Sequence, residues 1–278
     1  MADYIETKGY LEKIDFRDHY INKNIAAAQD YPEEFSLETS WMKVKNQGRV
    51  NSCVAHAMST ILEYHMKGEV DLSTNFIYGI QNKFCGHDGQ GMYLNDALKI
   101  AKEYGDMMEV DCGGNIEVPK CWEPAEKALE DTEKVSRARW FRIKQYYTCK
   151  DADSIKYALM NYGPLLIAVK WYDYKIKDGK LIFDTTSDYG GHAMVCYGWN
   201  KEGWLIQNSW GRSFADGGRV VLPFESPFRE AKGVVDMPNE GDIVVPSHDN
   251  KLVDFILKLL SAVVNFFKGL AGKLMRKG

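Results

Sequence analysis

The stretch Gln47-Gly48-Arg49-Val50-Asn51-Ser52-Cys53 leads directly into a segment with the periodicity of a helix. Apolar residues share one face of residues 53–67, and Gly68 stands where helices commonly end. Because the N–H groups at the start of a helix favour a negative charge, a thiol in this position is expected to have a lowered pKa. The stretch therefore predicts a helix that opens with a reactive cysteine.

The chain changes character at Pro164. Before it, residues 94–104 and 151–162 also have amphipathic helical spacing. After it, short β-branched or aromatic runs alternate with glycine-rich turns, at residues 165–169, 193–199, 204–207 and 219–222. Helices followed by strands predict an α+β protein of two subdomains with a functional cleft between them.

Two residues in the second half have the chemistry to work with the thiol of Cys53. His192 follows two glycines at the start of a predicted strand, which leaves space beside its imidazole. Asn208 ends another strand, with an amide that can fix the orientation and tautomer of a histidine. A lone cysteine at a helix start is usually a buried apolar residue, so it is the combination that indicates nucleophilic catalysis.

These motifs resemble the papain family of cysteine peptidases. The resemblance covers about residues 32–235 and rests on Val44-Lys45-Asn46-Gln47-Gly48 with Ser52-Cys53, on Gly191-His192-Ala193, and on Gln207-Asn208-Ser209-Trp210-Gly211. It implies a papain-like fold with a helical left half and an antiparallel, β-barrel-like right half. It also implies residue roles: Cys53 as nucleophile, His192 as general base and acid, Asn208 as the orienter of His192, and Gln47 as an oxyanion-hole donor.

The same resemblance implies where a polypeptide substrate binds. Its backbone would pair with Gly91 and Met92. The pocket for the P2 side chain is expected to be apolar, with no acid at its base, so a hydrophobic P2 residue is expected. The remaining substrate-binding residues that the resemblance implies are Tyr93, Leu94, Ala168, Gly190, Ala193 and Trp210.

The chain also departs from the family pattern. The position three residues before the nucleophile, usually a half-cystine, is Val50, so that family disulfide is absent. Residues 1–31 are too few for a long helical pro-region and are similar to the short leaders of bacterial and viral relatives. We expect this leader to run over the surface, near the cleft, and to regulate access to it. The peptidase domain is predicted at residues 32–245.

A basic amphipathic segment follows the predicted domain. Residues 251–278 carry a net charge of +5, whereas the rest of the chain carries −9, so nothing favours a nucleic-acid partner for the whole chain. Residues 246–278 are predicted to be a linker and a helix. The helix is too charged to span a bilayer, which leaves a membrane surface, a partner protein or its own domain as its contact.

The cysteines and the N-terminus favour the cytoplasm or another reducing compartment. The six cysteines form no C-x-x-C pair, and the first residues lack the charged and apolar regions of a signal peptide. Disulfides among Cys85, Cys112, Cys121 and Cys149 stay open as an alternative. His56 is one turn after Cys53, but two ligands without further partners do not make a metal site. The family resemblance implies no metal or organic cofactor.

The sequence therefore predicts a cysteine endopeptidase that hydrolyses peptide bonds through a Cys-His-Asn triad and a thioester acyl-enzyme. Two alternatives stay open. One is a catalytically silent papain-like module that only binds peptides, since one fold hosts many functions. The other is a restricted processing protease that its C-terminal helix delivers to a few substrates.

Overall fold

The computed structural model describes residues 9–11, 19–87, 89–226 and 228–235, together with the backbone of residues 243–244. Short 3-10 turns lie at Thr39–Trp41 and Arg139–Phe141. In chain order the other elements are β1 (Tyr10–Leu11), β2 (Tyr20–Ile21), α1 (Lys23–Ala27), β3 (Phe35–Ser36), α2 (Cys53–His65), α3 (Thr74–Gly79), α4 (Gln81–Cys85), β4 (Met92–Tyr93), α5 (Leu94–Glu103), α6 (Glu109–Cys112), α7 (Trp122–Glu130), α8 (Thr132–Ala138), β5 (Gln145–Thr148), α9 (Ala152–Tyr162), β6 (Leu165–Trp171), β7 (Asp173–Lys177), β8 (Lys180–Asp184), β9 (Gly190–Asn200), β10 (Gly203–Gln207), β11 (Arg219–Leu222), β12 (Phe228–Val235) and β13 (Ile243–Val244).

The three predicted helices are confirmed as α2, α5 and α9, with ends within two residues of those expected. Helix α2 ends as its sequence suggests, because Lys67 and Gly68 both have positive φ, 54° and 71°, and turn the chain out of the helix. Helix α9 begins with a capping box, in which the Asp151 carboxylate accepts from Ser154 N and the Ser154 hydroxyl accepts from Asp151 N.

The four predicted strands are confirmed within one large sheet. The strand order is β13-β2-β5-β12-β6-β9-β10-β11-β8-β7, and β3 adds to β9. The α+β class is therefore confirmed. The barrel-like half is not, because among the described residues the outer strands β13 and β7 do not pair and the sheet does not close. The pairs β6/β9 and β9/β10 are antiparallel and set the register of the site.

Two hydrophobic cores lie on the two sides of the site. The helical core surrounds α2 and includes the fully buried side chains of Met58, Ile61 and Phe76. The second core lies between α9 and the sheet and includes Leu159 and Trp199. Cys53, at the first residue of α2, belongs to the helical core, and α2 packs against β9 there. The start of α2 thus meets the central strand of the sheet, which places the predicted catalytic groups together.

The two described parts of the leader have different positions. Residues 19–27 are part of the body rather than a surface segment, because Ile21 and Ala26 are buried in the second core. Strand β2 also pairs with β5, and α1 packs on α9. Residues 9–11 lie on the cleft and are described below with the site.

The predicted C-terminal linker and helix are not among the described residues. Residues 1–244 form one compact unit, and residues 245–278 are assigned to a second. Every residue that the structure describes belongs to the first unit. Within that described part, no helix has both the length and the hydropathy required to cross a bilayer.

Candidate active site

Cys53 is placed at the N-terminus of α2 as predicted, but its surroundings differ from the expected ones. The residue is completely buried. Burial raises the pKa of the Cys53 thiol to about 12, although main-chain N–H groups of Ala193, Val54 and Cys53 itself act in the lowering direction. The expectation of a lowered pKa is therefore wrong for this covered state, because desolvation outweighs the helix N-terminus.

His192 and Asn208 are joined by a short hydrogen bond. The antiparallel strands β9 and β10 bring them together, with His192 Nε2 2.8 Å from Asn208 Oδ1. The Ser209 main-chain N–H donates to the same oxygen at 2.8 Å, which identifies that atom as the acceptor. His192 therefore carries its proton on Nε2, and Nδ1 is the nitrogen that can accept one.

Aromatic side chains enclose the imidazole of His192. Trp171 lies against it at 4.8 Å between ring centroids and Trp210 at 4.9 Å. Burial lowers the pKa of His192 to about 4, against the raising effect of the Asn208 hydrogen bond. The two indoles shield the His192–Asn208 bond, and Trp210 lies beside the histidine. A role for Trp210 in binding substrate stays a prediction.

Gln47 is almost fully buried and is held by Ser209, the residue that follows Asn208. Its main-chain N–H donates to Ser209 O at 2.8 Å, and the Ser209 hydroxyl donates to Gln47 Oε1 at 2.5 Å. Gln47 Nε2 donates one hydrogen to Val50 O at 2.9 Å. Because a primary amide has two N–H donors, the second one is available for an oxyanion.

The leader lies directly on the thiol. An added Cβ at Gly9 would stand 2.5 Å from Cys53 Sγ, and one at Gly191 would stand 2.5 Å from Tyr10 O. Strand β1 pairs in parallel with β4, and the Met92 N–H donates to Gly9 O at 2.8 Å. Leader residues therefore occupy the place beside Gly91, Met92 and Tyr93 where the substrate backbone was expected.

The side chain of Tyr10 contacts a residue that sequence reasoning missed. Its ring is 6% exposed and belongs to the same apolar cluster as Ala168 and Ala193. Its hydroxyl donates to Glu230 Oε1 at 2.7 Å. A carboxylate therefore lies at the tip of the Tyr10 side chain, on a strand position opposite Ala168. Lys232, itself 1% exposed, lies 3.4 Å from the other Glu230 oxygen.

Strand geometry separates the predicted pocket residues of β9 onto two faces. Alternate residues of β9 face opposite sides of the sheet, so Gly191 and Ala193 share the face toward Tyr10. Gly190 shares the opposite face with His192. Its place in the pocket lining stays a prediction, because a glycine lines a pocket with its main chain. Leu94 is buried in the helical core at the start of α5, next along the chain from Tyr93.

The comparisons with known proteins agree with this geometry. Residues 31–224 match the profile described as papain family cysteine protease. Cathepsin B-like cysteine proteinase 3 of Caenorhabditis elegans is 24% identical over 77% of this chain, and mouse cathepsin S is 26% identical over 73%. The matched parts span 65% and 60% of the lengths of these two relatives.

Among solved structures, xylellain, a cysteine protease from Xylella fastidiosa, superposes with a TM-score of 0.70. It is 23% identical, and the match covers 84% of this chain and 97% of that one. A procathepsin B from Trypanosoma congolense superposes with a TM-score of 0.60 at 14% identity. These similarities establish the papain-like fold, and the profile match covers well over half of the sequence. The chain belongs to the papain family of cysteine proteases.

Proposed function

We propose that this chain is a cysteine endopeptidase that cuts peptide bonds with Cys53, His192, Asn208 and Gln47. The observation that carries the proposal is the His192–Asn208 hydrogen bond, which leaves the basic nitrogen of His192 unprotonated. The residue that follows it on β9 donates its N–H toward the Cys53 thiol. A thiol, a base and a fixed tautomer are the parts that nucleophilic acyl transfer requires.

The reaction follows from these positions. His192 Nδ1 takes the thiol proton, and the Cys53 thiolate attacks the substrate carbonyl carbon. The resulting oxyanion accepts hydrogen bonds from the Cys53 main-chain N–H and the second Gln47 Nε2 hydrogen. The C–N bond then breaks as His192 protonates the leaving amine, which leaves a thioester. Water attacks the thioester with His192 as base, and the acid product and the thiol are released.

We propose further that residues 9–11 keep the enzyme latent. With the leader on the thiol, burial holds Cys53 as a thiol and His192 as a neutral imidazole. A substrate carbonyl also has no room where Gly9 lies. When the leader leaves, water reaches both groups and the two burial-driven pKa shifts relax toward each other, which favours the reactive ion pair.

The P2 preference follows from what Tyr10 shows of the pocket. Its walls are apolar, at Ala168, Ala193 and Gly191, and its end is the Glu230 carboxylate. We therefore propose a large apolar P2 side chain with a hydrogen-bond donor at its tip, of which tyrosine is the natural example. This keeps the hydrophobic character expected from the sequence and adds a polar requirement to it.

Covalent labelling tests the proposal. The epoxide E-64, an inhibitor of thiol peptidases, is added to the full chain, to a Cys53→Ala variant and to a chain that begins at residue 19. That last start keeps Ile21 and Ala26, whose burial argues against a longer deletion. Intact mass should show one adduct on the full chain, faster labelling of the shortened chain, and none on Cys53→Ala.

Each other outcome is decisive when circular dichroism shows that the proteins are folded. Equal labelling rates with and without the leader would overturn the latency and leave the peptidase. Labelling of neither chain would overturn the peptidase and favour the silent peptide-binding module. Restricted processing would appear as cleavage of few proteins in a mixture, whereas a general peptidase would cut many.

The compartment and the C-terminal segment stay proposals of the sequence. None of the six cysteines forms a disulfide among the described residues. The reducing compartment rests on the sequence alone. The membrane-surface or partner-protein role of residues 251–278, and the placement near bacterial and viral relatives with short leaders, rest on sequence alone.

A further inference from the structure

Asn115 is a polar side chain at the rim of the site that the mechanism above does not use. It follows Gly113 and Gly114 in the segment between α6 and α7. Its Nδ2 donates to the main-chain oxygens of Gln47 and, at 3.4 Å, of Asn46. Its Oδ1 accepts from the Ser52 hydroxyl at 3.3 Å. We propose that Asn115 is a positioning residue that holds the oxyanion hole in shape.

The position of Asn115 matters because it bridges the two ends of one loop. Residues 46–52 carry Gln47 near their start and end immediately before Cys53. The two proposed oxyanion donors, the Gln47 amide and the Cys53 main-chain N–H, thus belong to opposite ends of this loop. The distance between those donors is fixed only if the two ends are held together. Asn115 contacts both ends at once.

Other contacts also hold the loop, since Gln47 Nε2 and Ser52 N both donate to Val50 O, at 2.9 and 2.8 Å. Asn115 adds a bridge that comes from outside the loop. Inside the loop, Val50 N donates to Gln47 O at 3.1 Å, and Gly48 turns with a φ of +56°. From the sheet, Ser209 holds the Gln47 side chain. From the helical half, Asn115 holds the Gln47 main chain. Gln47 is therefore hydrogen-bonded from both sides of the cleft. Asn115 makes the bond on the side of α6 and α7.

Asn115 is exposed, so its effect on catalysis can be measured separately from its effect on the stability of the fold. Hydrogen bonds made by an exposed amide add little to stability, because water competes for the same groups. Catalysis is more sensitive, since displacing a reacting group by about 1 Å can cost roughly 100-fold in rate. We therefore expect Asn115 to matter for turnover and very little for the melting temperature. This inference rests on the proposed peptidase function.

The test is a double-mutant cycle in the full-length chain, with each rate divided by the concentration of sites that E-64 titrates. Asn115→Ala should lower kcat about tenfold with little change in KM, because the geometry of the transition state is affected. Gln47→Ala should lower kcat roughly 10²–10³-fold. In the Gln47→Ala background, adding Asn115→Ala should have less than about a twofold further effect, since the group it positions is gone.

Asn161 provides the matched control. It is also an exposed asparagine whose Nδ2 donates to a main-chain oxygen, that of Tyr157 at 2.8 Å, but it lies in α9. Asn161→Ala should leave kcat unchanged. An unaltered kcat in Asn115→Ala, or a tenfold loss that persists in the Gln47→Ala background, would overturn the inference while leaving the peptidase intact. Failure of the peptidase itself would appear separately, as a folded wild type that neither turns over substrate nor reacts with E-64.

Discussion

Glu230 supplies a polar end to the P2 pocket that we propose. Its carboxylate accepts from the Tyr10 hydroxyl, and on its other side it meets the buried ammonium of Lys232. A phenylalanine in the same place would lack the hydrogen bond that the tyrosine hydroxyl donates to this carboxylate. A hydrogen bond to a charged acceptor contributes more than one between neutral groups.

Peptide substrates that differ only by tyrosine or phenylalanine at P2 should therefore separate the two contributions. We expect kcat/KM to be about tenfold higher for tyrosine, from one hydrogen bond to a charged acceptor. Glu230→Gln should reduce this tyrosine-to-phenylalanine ratio to a few-fold. The control is the ratio of kcat/KM for a leucine substrate to that for the phenylalanine substrate, which the substitution should leave unchanged. If the wild type gave nearly equal kcat/KM values for the tyrosine and phenylalanine substrates, Glu230 would not distinguish the two P2 side chains.

The residue scale also shows what the sequence could predict. Cys53, His192, Asn208 and Gln47 were recognisable because each lies inside a local motif. Glu230 was not, because it reaches the pocket only through the register of β12 on β6, where it stands opposite Ala168. Spacing in the sequence does not contain that register. The raised pKa of the Cys53 thiol is not predictable from spacing for a similar reason. The residue that covers the thiol, Gly9, is 44 positions away in the sequence.

At the scale of elements, the leader strand has two separable attachments. One is its main-chain pairing with β4, and the other is the side chain of Tyr10. Strand pairing over two residues is marginally stable in water. The buried ring of Tyr10 therefore contributes most of the free energy that keeps the leader on the cleft. The strength of latency should accordingly follow the chemistry of this one side chain.

A Tyr10 series measures that dependence through the rate of E-64 labelling in the full chain. Tyr10→Phe keeps the ring and loses the bond to Glu230, so labelling should be about tenfold faster. Tyr10→Ala also loses the burial of the ring and should be roughly 100-fold faster, up to the rate of the uncovered site. Tyr31→Phe, which loses hydrogen bonds to Ala26 and Asp153 on α1 and α9, should label like the wild type. Identical rates across the series would contradict a role for Tyr10.

Element prediction succeeded where the pattern is long and failed where it is short. Helices α2, α5 and α9 have ten or more residues, so that their apolar periodicity is visible. Strand β1 has two residues, and its partner β4 lies some 80 positions later. Likewise, the burial of Ile21 and Ala26 depends on tertiary packing, which a local sequence pattern does not predict.

For the molecule as a whole, Lys45 connects the helical half to the half that contains the sheet. Its ammonium lies 3.0 Å from the fully buried Glu63, 2.6 Å from Asp71 and 3.3 Å from Glu109. Its main-chain oxygen accepts from Gly211 N at 3.0 Å. Burial raises the pKa of Glu63 to about 6, even with Lys45 beside it.

Lys45→Ala should lower the free energy of unfolding by about 3–5 kcal/mol, because it leaves the buried Glu63 carboxylate without its cation. The loss should be smaller at pH 5 than at pH 8. A carboxyl with a raised pKa binds its proton in the folded state at low pH, so its cost falls as pH decreases. Urea unfolding at the two pH values measures this.

Lys43→Ala is the matched control, since it removes an exposed pair with Asp71 at 3.4 Å. It should cost at most about 1 kcal/mol. Equal costs for the two lysines, or a larger loss for Lys45→Ala at pH 5, would contradict the buried-charge explanation.

The burial of Ile21 and Ala26 has a consequence for how inhibitor and enzyme meet. Because the chain is anchored in the body at these residues, residues 9–11, which we propose to be inhibitory, stay in the same molecule as the cleft that they cover. Tethered groups experience an effective concentration of roughly millimolar, whatever the dilution. Latency should then be independent of protein concentration. A substrate would have to compete with a tethered segment whose effective concentration is roughly millimolar. Substrates that are abundant or bind tightly would therefore be cut first.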